Sequence, residues 1–152
     1  MRRHAACLLA GMTAVLITAG CSDEGGPKTM RVWGKVTVDG APLDEGTIDF
    51  VSSDGSPPAQ GQIKAGEYDI AKPAGPVATK VYRVEISALK DFGKPLRNVM
   101  GDAEPTMQPK INTIAPEYNV ESKLTVTVSD DSAKNNFDFA VKQGAKPAAA
   151  PR

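Results

Sequence analysis

Seven short segments of this chain alternate apolar and polar side chains with a period of two residues. The clearest runs from Lys80 to Ala88, where Tyr82, Val84 and Ile86 share one face and polar side chains share the other. Such alternation is typical of a β-strand with one buried face. The other six segments are 31–38, 47–52, 59–64, 67–71, 123–128 and 136–141.

Turn residues and prolines fit the same interpretation. None of the 12 prolines falls inside a predicted strand, as expected for internal strands that need their backbone donors. Asp39-Gly40 and Ala65-Gly66 are tight-turn signals, and Gly34 within the first strand indicates a close backbone approach. No stretch after residue 20 shows a sustained helical period. We therefore predict an all-β fold, a seven-stranded antiparallel β-sandwich.

One long segment, residues 89–122, has no convincing period. Structureless connections beyond about 15 residues are uncommon in compact domains. The segment therefore contains a short helix or an extra strand, for which Val99-Met100 and Lys110 to Thr113 are candidates, or it is a functional flap. We expect a partly ordered crossover between the sheets, with Tyr118 packed against the sandwich edge.

Residues 1–20 have the three parts of a secretory signal peptide. A basic start at residues 1–4 precedes an apolar run at 5–17, and small residues lead to Cys21. An uncleaved membrane anchor is a weaker alternative because a span needs roughly 20 apolar residues. An ordinary cleaved signal that releases a free product is the stronger alternative. The segment resembles a bacterial lipoprotein signal, which implies a lipidated (palmitate-type) Cys21 as the first mature residue.

The rest of the chain divides by composition. Residues 21–29 contain Gly25-Gly26-Pro27 and predict a flexible tether. The predicted β-sandwich domain spans 30–142. Residues 143–152 are an Ala/Pro tail that cannot build a core, and we expect it to be disordered.

The residues left after removal of 1–20 restrict the chemistry. The single histidine, His4, and Cys7 lie in the predicted signal, so Cys21 is the one remaining cysteine. Neither a Ser-His nor a Cys-His pair can be assembled, and the usual Cys/His zinc sites are excluded. We therefore expect no catalytic residues, no metal and no cofactor, and a chain that is not an enzyme.

Charge gives no sign of a nucleic-acid partner. Loss of Arg2 and Arg3 with the signal leaves 16 basic and 18 acidic side chains, a net charge near −2. No block of like charge provides the basic surface that nucleic acid requires. We expect a membrane partner through the lipid on Cys21, and an envelope protein or wall polymer as a further partner.

Several motifs of the predicted domain resemble a known family. The opening motif, which is similar to that of carboxypeptidase regulatory-like domains, is Val32-x-Gly34-Lys35-Val36-x-x-Asp39-Gly40-x-Pro42-Leu43-x-x-Gly46-x-Ile48-x-Phe50. Further similar motifs are Gly66-x-Tyr68-x-Ile70, Tyr82-Arg83-Val84-x-Ile86, Pro116-x-Tyr118-Asn119, Ser122-x-Leu124-x-Val126-x-Val128 and Asn135-x-Phe137-Asp138-Phe139. The resemblance implies a transthyretin-like (prealbumin-like) β-sandwich of small bacterial lipoproteins, in which the module is typically an accessory without catalytic activity.

Three functions follow as hypotheses. The first is a non-catalytic, lipid-anchored envelope protein facing the periplasm or cell surface, with the sandwich as a structural or interaction module. The second is an enzyme, since transthyretin-like sandwiches include hydrolases that depend on histidines and a Tyr-Arg-Gly-Ser ending, although the predicted mature chain has neither. The third is a small-ligand binder: Asp130-Asp131 with Asn135-Asn136 offers oxygen donors for calcium, and Trp33 or Tyr118 could stack on a saccharide.

Overall fold

The structure is a computed structural model that describes residues 26–97 and 105–145 of the chain. The predicted signal peptide, Cys21, Val99-Met100 and residues 146–152 of the predicted tail lie outside these ranges. The described ranges form twelve strands, as follows. They are β1 (Val32–Val38), β2 (Ala41–Pro42), β3 (Glu45–Ser52), β4 (Ala59–Lys64), β5 (Glu67–Ile70), β6 (Val81–Ser87), β7 (Leu89–Asp91), β8 (Leu96–Arg97), β9 (Pro105–Met107), β10 (Lys110–Asn112), β11 (Thr125–Thr127) and β12 (Phe139–Val141).

Seven of these strands form one continuous sheet. Their order is β11-β6-β3-β4-β5-β1-β12, and β2 pairs with the end of β1. Each of the seven overlaps one of the seven segments predicted from the alternation. The sheet curls to give a sandwich-like, all-β fold, which confirms the predicted fold class.

One pairing differs from the predicted antiparallel arrangement. β12 runs parallel to β1, with Val36 opposite Phe139 and Val38 opposite Val141. The chain leaves β11 at one edge of the sheet and starts β12 at the other edge. Because the sheet curls, the intervening residues 128–138 can join its two edges, and β12 then runs parallel to β1.

The inward side chains of the strands form one apolar cluster. Phe50, Tyr82 and Ile86 are completely buried, and the rings of Phe50 and Tyr82 meet edge-on with centroids 6.5 Å apart. Complete burial of an aliphatic or aromatic side chain of this size contributes about 1.5–3 kcal/mol. The period-two pattern therefore corresponds to the core that holds the sandwich together.

Both predicted tight turns are present as two-residue hairpins. Asp39 and Gly40 have φ of 50° and 86°, and they connect β1 to β2. Ala65 and Gly66 have φ of 50° and 79°, and they connect β4 to β5. Two successive residues at positive φ are the signature of the turn whose twist matches that of paired strands.

The described part of the segment 89–122 contains four short strands, and the segment is not a crossover. β7 pairs with β10, and β8 pairs with β9, in two small antiparallel ribbons. The extra strand predicted at Lys110 to Thr113 is confirmed as β10. The chain then returns to β11, which pairs with β6 in the same sheet, so the crossover prediction is wrong. Tyr118 packs against the core cluster, as predicted.

Polar side chains that are buried or half-buried connect the segment 89–122 to the sandwich. The Asn112 Oδ1 accepts hydrogen bonds from the backbone N–H groups of Ala88 and Ile114, at 3.0 and 3.1 Å. The Asn119 Nδ2 donates to the carbonyl oxygen of Ile114 at 3.1 Å. The Ser122 hydroxyl donates to the carbonyl oxygen of Val84. These bonds satisfy backbone groups that have no partner in a ladder.

Candidate ligand-binding cleft

A solvent-open cleft of about 620 Å³ lies on the outer face of β1, β4 and β5. Residues 136–138, which lead into β12, form one of its walls. A cleft of this size lies within the range of about 300–1,000 Å³ that is usual for small-ligand sites. The lining residues are Arg31, Trp33, Gly34, Lys35, Gln62, Lys64, Glu67, Tyr68, Asp69, Asn136 and Asp138.

Trp33 is the aromatic side chain that is exposed in this cleft. It is 37% exposed and lies directly across from Asp69 on β5. The Arg31 guanidinium lies 5.8 Å from the centre of the indole ring, a cation–π arrangement. The outward position of Trp33 follows from the alternation of β1, in which Val32 and Val36 point into the core.

Arg31 and Asp69 form a two-pronged ion pair beside the indole ring. The Arg31 Nε donates to Asp69 Oδ1 at 2.8 Å, and Nη2 donates to Oδ2 at 2.5 Å. The hydrogen bond to Arg31 holds the pKa of Asp69 below its ordinary value, and the bond to Asp69 raises the pKa of Arg31. Both groups therefore stay charged at neutral pH, with their planar heads fixed in one orientation.

A second cross-strand pair extends the cleft along the strands. Lys35 lies opposite Glu67 in the ladder, with Nζ and Oε1 3.9 Å apart, and Lys64 lies opposite Glu67 on the other side. With Arg31, Asp69 and Asp138, the cleft has three basic and three acidic side chains. The cleft is therefore rich in hydrogen-bonding groups but carries no net charge.

Gly34 sets the wall of the cleft. A Cβ at this position would lie 2.0 Å from the carbonyl oxygen of Phe137, so a side chain cannot fit. This is the close backbone approach that the sequence predicted. The same carbonyl oxygen accepts a hydrogen bond from the Tyr68 hydroxyl at 2.8 Å. Burial raises the pKa of Tyr68, with the nearby Asp138 as a second cause, so the phenol stays neutral and keeps donating.

Two of the four residues considered for calcium, Asp131 and Asn135, use their side-chain oxygens in local hydrogen bonds. Asn135 is completely buried, its Oδ1 accepts from the Ser129 N–H at 2.7 Å, and its Nδ2 donates to the Ser129 carbonyl at 3.0 Å. Asp131 accepts from the Ala133 N–H at 3.1 Å. In the part of the chain that the structure describes, no group of three or more His, Cys, Asp or Glu side chains is placed to hold a metal.

The two aromatic residues considered for a saccharide are not brought together. Tyr118 is the last residue of a short 3₁₀ turn, Pro116–Tyr118, and does not line the Trp33 cleft. The partners that surround Trp33 were not recognised from the sequence. The local alternation places 31, 33 and 35 outward before and on β1, and 67 and 69 outward on β5, but the pairing that brings these positions together is long-range.

Two other clefts lie at the end of the sandwich that holds the 39–40 turn. Their volumes are about 630 and 430 Å³, and both include Lys90, Thr113 and Gln143. Among the described residues that line them, Phe92 is the one aromatic side chain. The Trp33 cleft therefore offers the better combination of a flat aromatic surface and fixed polar groups.

Comparisons of the chain with known protein families, with curated proteins and with solved structures found no match. The described residues also include no helix that is both long and apolar enough to cross a membrane.

Proposed function

We propose that this is a non-catalytic, lipid-anchored protein of the cell envelope whose β-sandwich contacts an envelope protein or a wall polymer. The sequence supports the anchor, because a basic start, an apolar run and small residues lead directly to Cys21. Each buried methylene of an attached acyl chain contributes ~0.8 kcal/mol to membrane binding. Two or three chains on Cys21 therefore hold the protein stably at a bilayer.

The observation that carries this proposal is how soon the fold begins after Cys21. The carbonyl oxygen of Lys28 accepts from the Ala78 N–H, and the Met30 N–H donates to the carbonyl oxygen of Pro76, both at 2.8 Å. Lys28 lies seven residues after Cys21, and an extended chain of that length reaches about 25 Å. A lipid on Cys21 therefore keeps the sandwich close to the membrane surface, where it can act as an interaction module.

With a lipid on Cys21, the end of the sandwich where the chain enters is the end nearer the membrane. The Tyr82 hydroxyl accepts from the Val77 N–H at 2.9 Å and donates to the Pro57 carbonyl at 3.3 Å. Loop 53–58 is therefore at the end where the chain enters. Residue 143 lies at the other end, because the Gln143 N–H donates to Asp39 beside the 39–40 turn. The outer faces of the strands and the far end thus stay accessible to a partner.

Metabolic labelling with a radioactive fatty acid tests the anchor. We expect the full-length chain to incorporate the label and to fractionate with membranes, and Cys21→Ala to lose both properties. Cys7→Ala is the matched control, since Cys7 lies in the segment that is removed, and it should label normally. Equal labelling of the wild type and Cys21→Ala, or no labelling at all, would refute the proposal.

Crosslinking in intact envelopes tests the partner. We expect the lipidated protein to be recovered with one envelope protein or with wall polymer. If neither partner is recovered, the interaction part of the proposal is refuted and only the membrane location is left. The calcium alternative predicts heat release when calcium is added to the purified protein, and a flat calorimetric response would exclude it.

A further inference from the structure

We infer that the Trp33 cleft is a binding site for an uncharged glycan chain. The inference deepens the proposed function, on which it rests, because it names the chemistry of the wall polymer and the surface that binds it. Three properties of the cleft support it: a flat aromatic surface, fixed hydrogen-bonding groups of both kinds, and balanced charge.

The aromatic surface suits the apolar face of a sugar ring. One face of a pyranose presents C–H groups with a slight positive charge, and the face of an indole ring is negative. Trp33 projects from the outer face of β1, with the Arg31 guanidinium 5.8 Å from the centre of the ring. A tryptophan side chain has only two rotatable side-chain torsions, so it loses little conformational entropy when a ligand stacks on it.

The polar groups suit sugar hydroxyls, which both donate and accept hydrogen bonds. Each carboxylate of the cleft accepts, each ammonium or guanidinium donates, and the Gln62 amide does both. The Arg31–Asp69 pair is bidentate, so its remaining donors and acceptors have fixed directions. A hydroxyl that bridges such a planar pair forms hydrogen bonds with charged groups, which are stronger than neutral ones.

The charge balance and shape disfavour other ligand classes. Three basic and three acidic side chains create no field that would attract nucleic acid or a polyanion. The cleft extends along the chain from Arg31, just before β1, to Lys35 on β1, a length of about 13 Å at 3.3 Å per residue. An extended chain fits that shape better than a compact apolar molecule, which needs an enclosed pocket.

Trp33 itself provides the readout, because it is the one tryptophan of the chain. The full-length lipidated protein is purified in lauryldimethylamine oxide, since detergents with a sugar headgroup would compete for the site. Chitohexaose, cellohexaose and maltohexaose are the probes. We expect a saturable change in Trp33 emission with at least one of them, and calorimetry to give the same dissociation constant. No response to any probe would overturn the inference.

Substitutions locate the site. Asp69→Asn removes the ion pair but keeps the shape of the side chain, and it should weaken glycan binding at least about tenfold. Glu85→Gln is the matched control, because Glu85 pairs with Arg83 at 2.6 Å on the outer face of β6, at least three strands away from β5 and β1 in the sheet. Equal effects of the two substitutions, or none for Asp69→Asn, would refute the assignment.

The salt dependence of the affinity distinguishes an uncharged glycan from a charged polymer. The Cys21→Ala variant separates glycan binding from lipid anchoring. Because the glycan is uncharged, its affinity should change less than about twofold between roughly 50 and 500 mM NaCl, where exposed charge attraction is strongly screened. A steep loss would identify a charged polymer and overturn the inference. Full-length Cys21→Ala should bind the glycan normally, so a failed labelling experiment and a failed binding experiment refute different proposals.

Discussion

Replacement of Gly34 by alanine tests the packing that joins the two edges of the sheet. The new Cβ would lie 2.0 Å from the carbonyl oxygen and 2.7 Å from the carbonyl carbon of Phe137. An ordinary contact is 3.4 Å or longer, so the neighbouring chain must move by more than 1 Å. The obstacle is backbone, which cannot rotate away as the end of a side chain can. The 136–138 segment must therefore separate from β1.

The cost follows from the hydrogen bonds that this movement stretches or breaks. Four that are 3.1 Å or shorter join 135–138 to β1 and β5. They are Phe137 N–H to Trp33 O at 2.9 Å, Trp33 N–H to Asn135 O at 3.1 Å, Lys35 N–H to Asp138 Oδ1 at 2.7 Å and Tyr68 O–H to Phe137 O at 2.8 Å. Each contributes about 1 kcal/mol, and alanine recovers about 0.4–1 kcal/mol through the unfolded chain. We expect the free energy of unfolding to fall by about 3 kcal/mol.

Urea unfolding followed by Trp33 fluorescence measures this loss, because Trp33 is adjacent to the substitution. Gly55→Ala is the comparison. Gly55 has φ of 82°, and no heavy atom lies within 4 Å of the place that its Cβ would take, so it tests backbone strain alone, about 1 kcal/mol. If Gly34→Ala costs no more than Gly55→Ala, the reasoning about the Phe137 carbonyl is wrong.

Three further predictions follow from other contacts. Tyr68→Phe should lower the free energy of unfolding by about 1 kcal/mol. Because folding raises the pKa of Tyr68 above 10.0, the stability of the wild type in urea titrations should fall as the pH rises past 10, and it should fall less in the variant. Asn135→Ala should lower the free energy of unfolding by about 2–3 kcal/mol, because it leaves the Ser129 N–H and carbonyl groups without their partner. Asn136→Ala, at an exposed position, should lower it by less than about 1 kcal/mol. In lipidated protein, a fluorophore at Ser53→Cys should be quenched by brominated lipid more than one at Lys90→Cys, and equal quenching would contradict the orientation.

The strands were predictable because their signal is local. Each strand of the main sheet buries one face, so the period-two pattern appears within a few residues, and the Asp39-Gly40 and Ala65-Gly66 turns require only two residues. The buried cluster contains the inward positions that the pattern selects, such as Phe50, Val84 and Val128. Gly34 was informative for the same reason, because a glycine inside a strand marks a position without room for a side chain.

The pairings over long sequence distances were not predictable. The contact between Lys35 and Asp138 joins residues 103 positions apart, and nothing in either local pattern indicates it. The parallel placement of β12 depends on how far the sheet curls, which is a property of the whole core. Asn112 and Asn119 satisfy backbone groups where the 89–122 segment meets the sandwich, and no local pattern indicates that role. The cleft depends on the same long-range register.

The glycine that closes the sheet also creates the candidate site. Because the Phe137 carbonyl lies over Gly34, its neighbours Asn136 and Asp138 border the outer face beside Trp33 and Lys35. The cleft wall is therefore a consequence of backbone packing, and a bulkier residue at 34 should remove both stability and ligand binding. A variant that loses glycan binding through Gly34 would show only that the fold had changed. Outward residues such as Asp69 are the right targets, because the core does not depend on them.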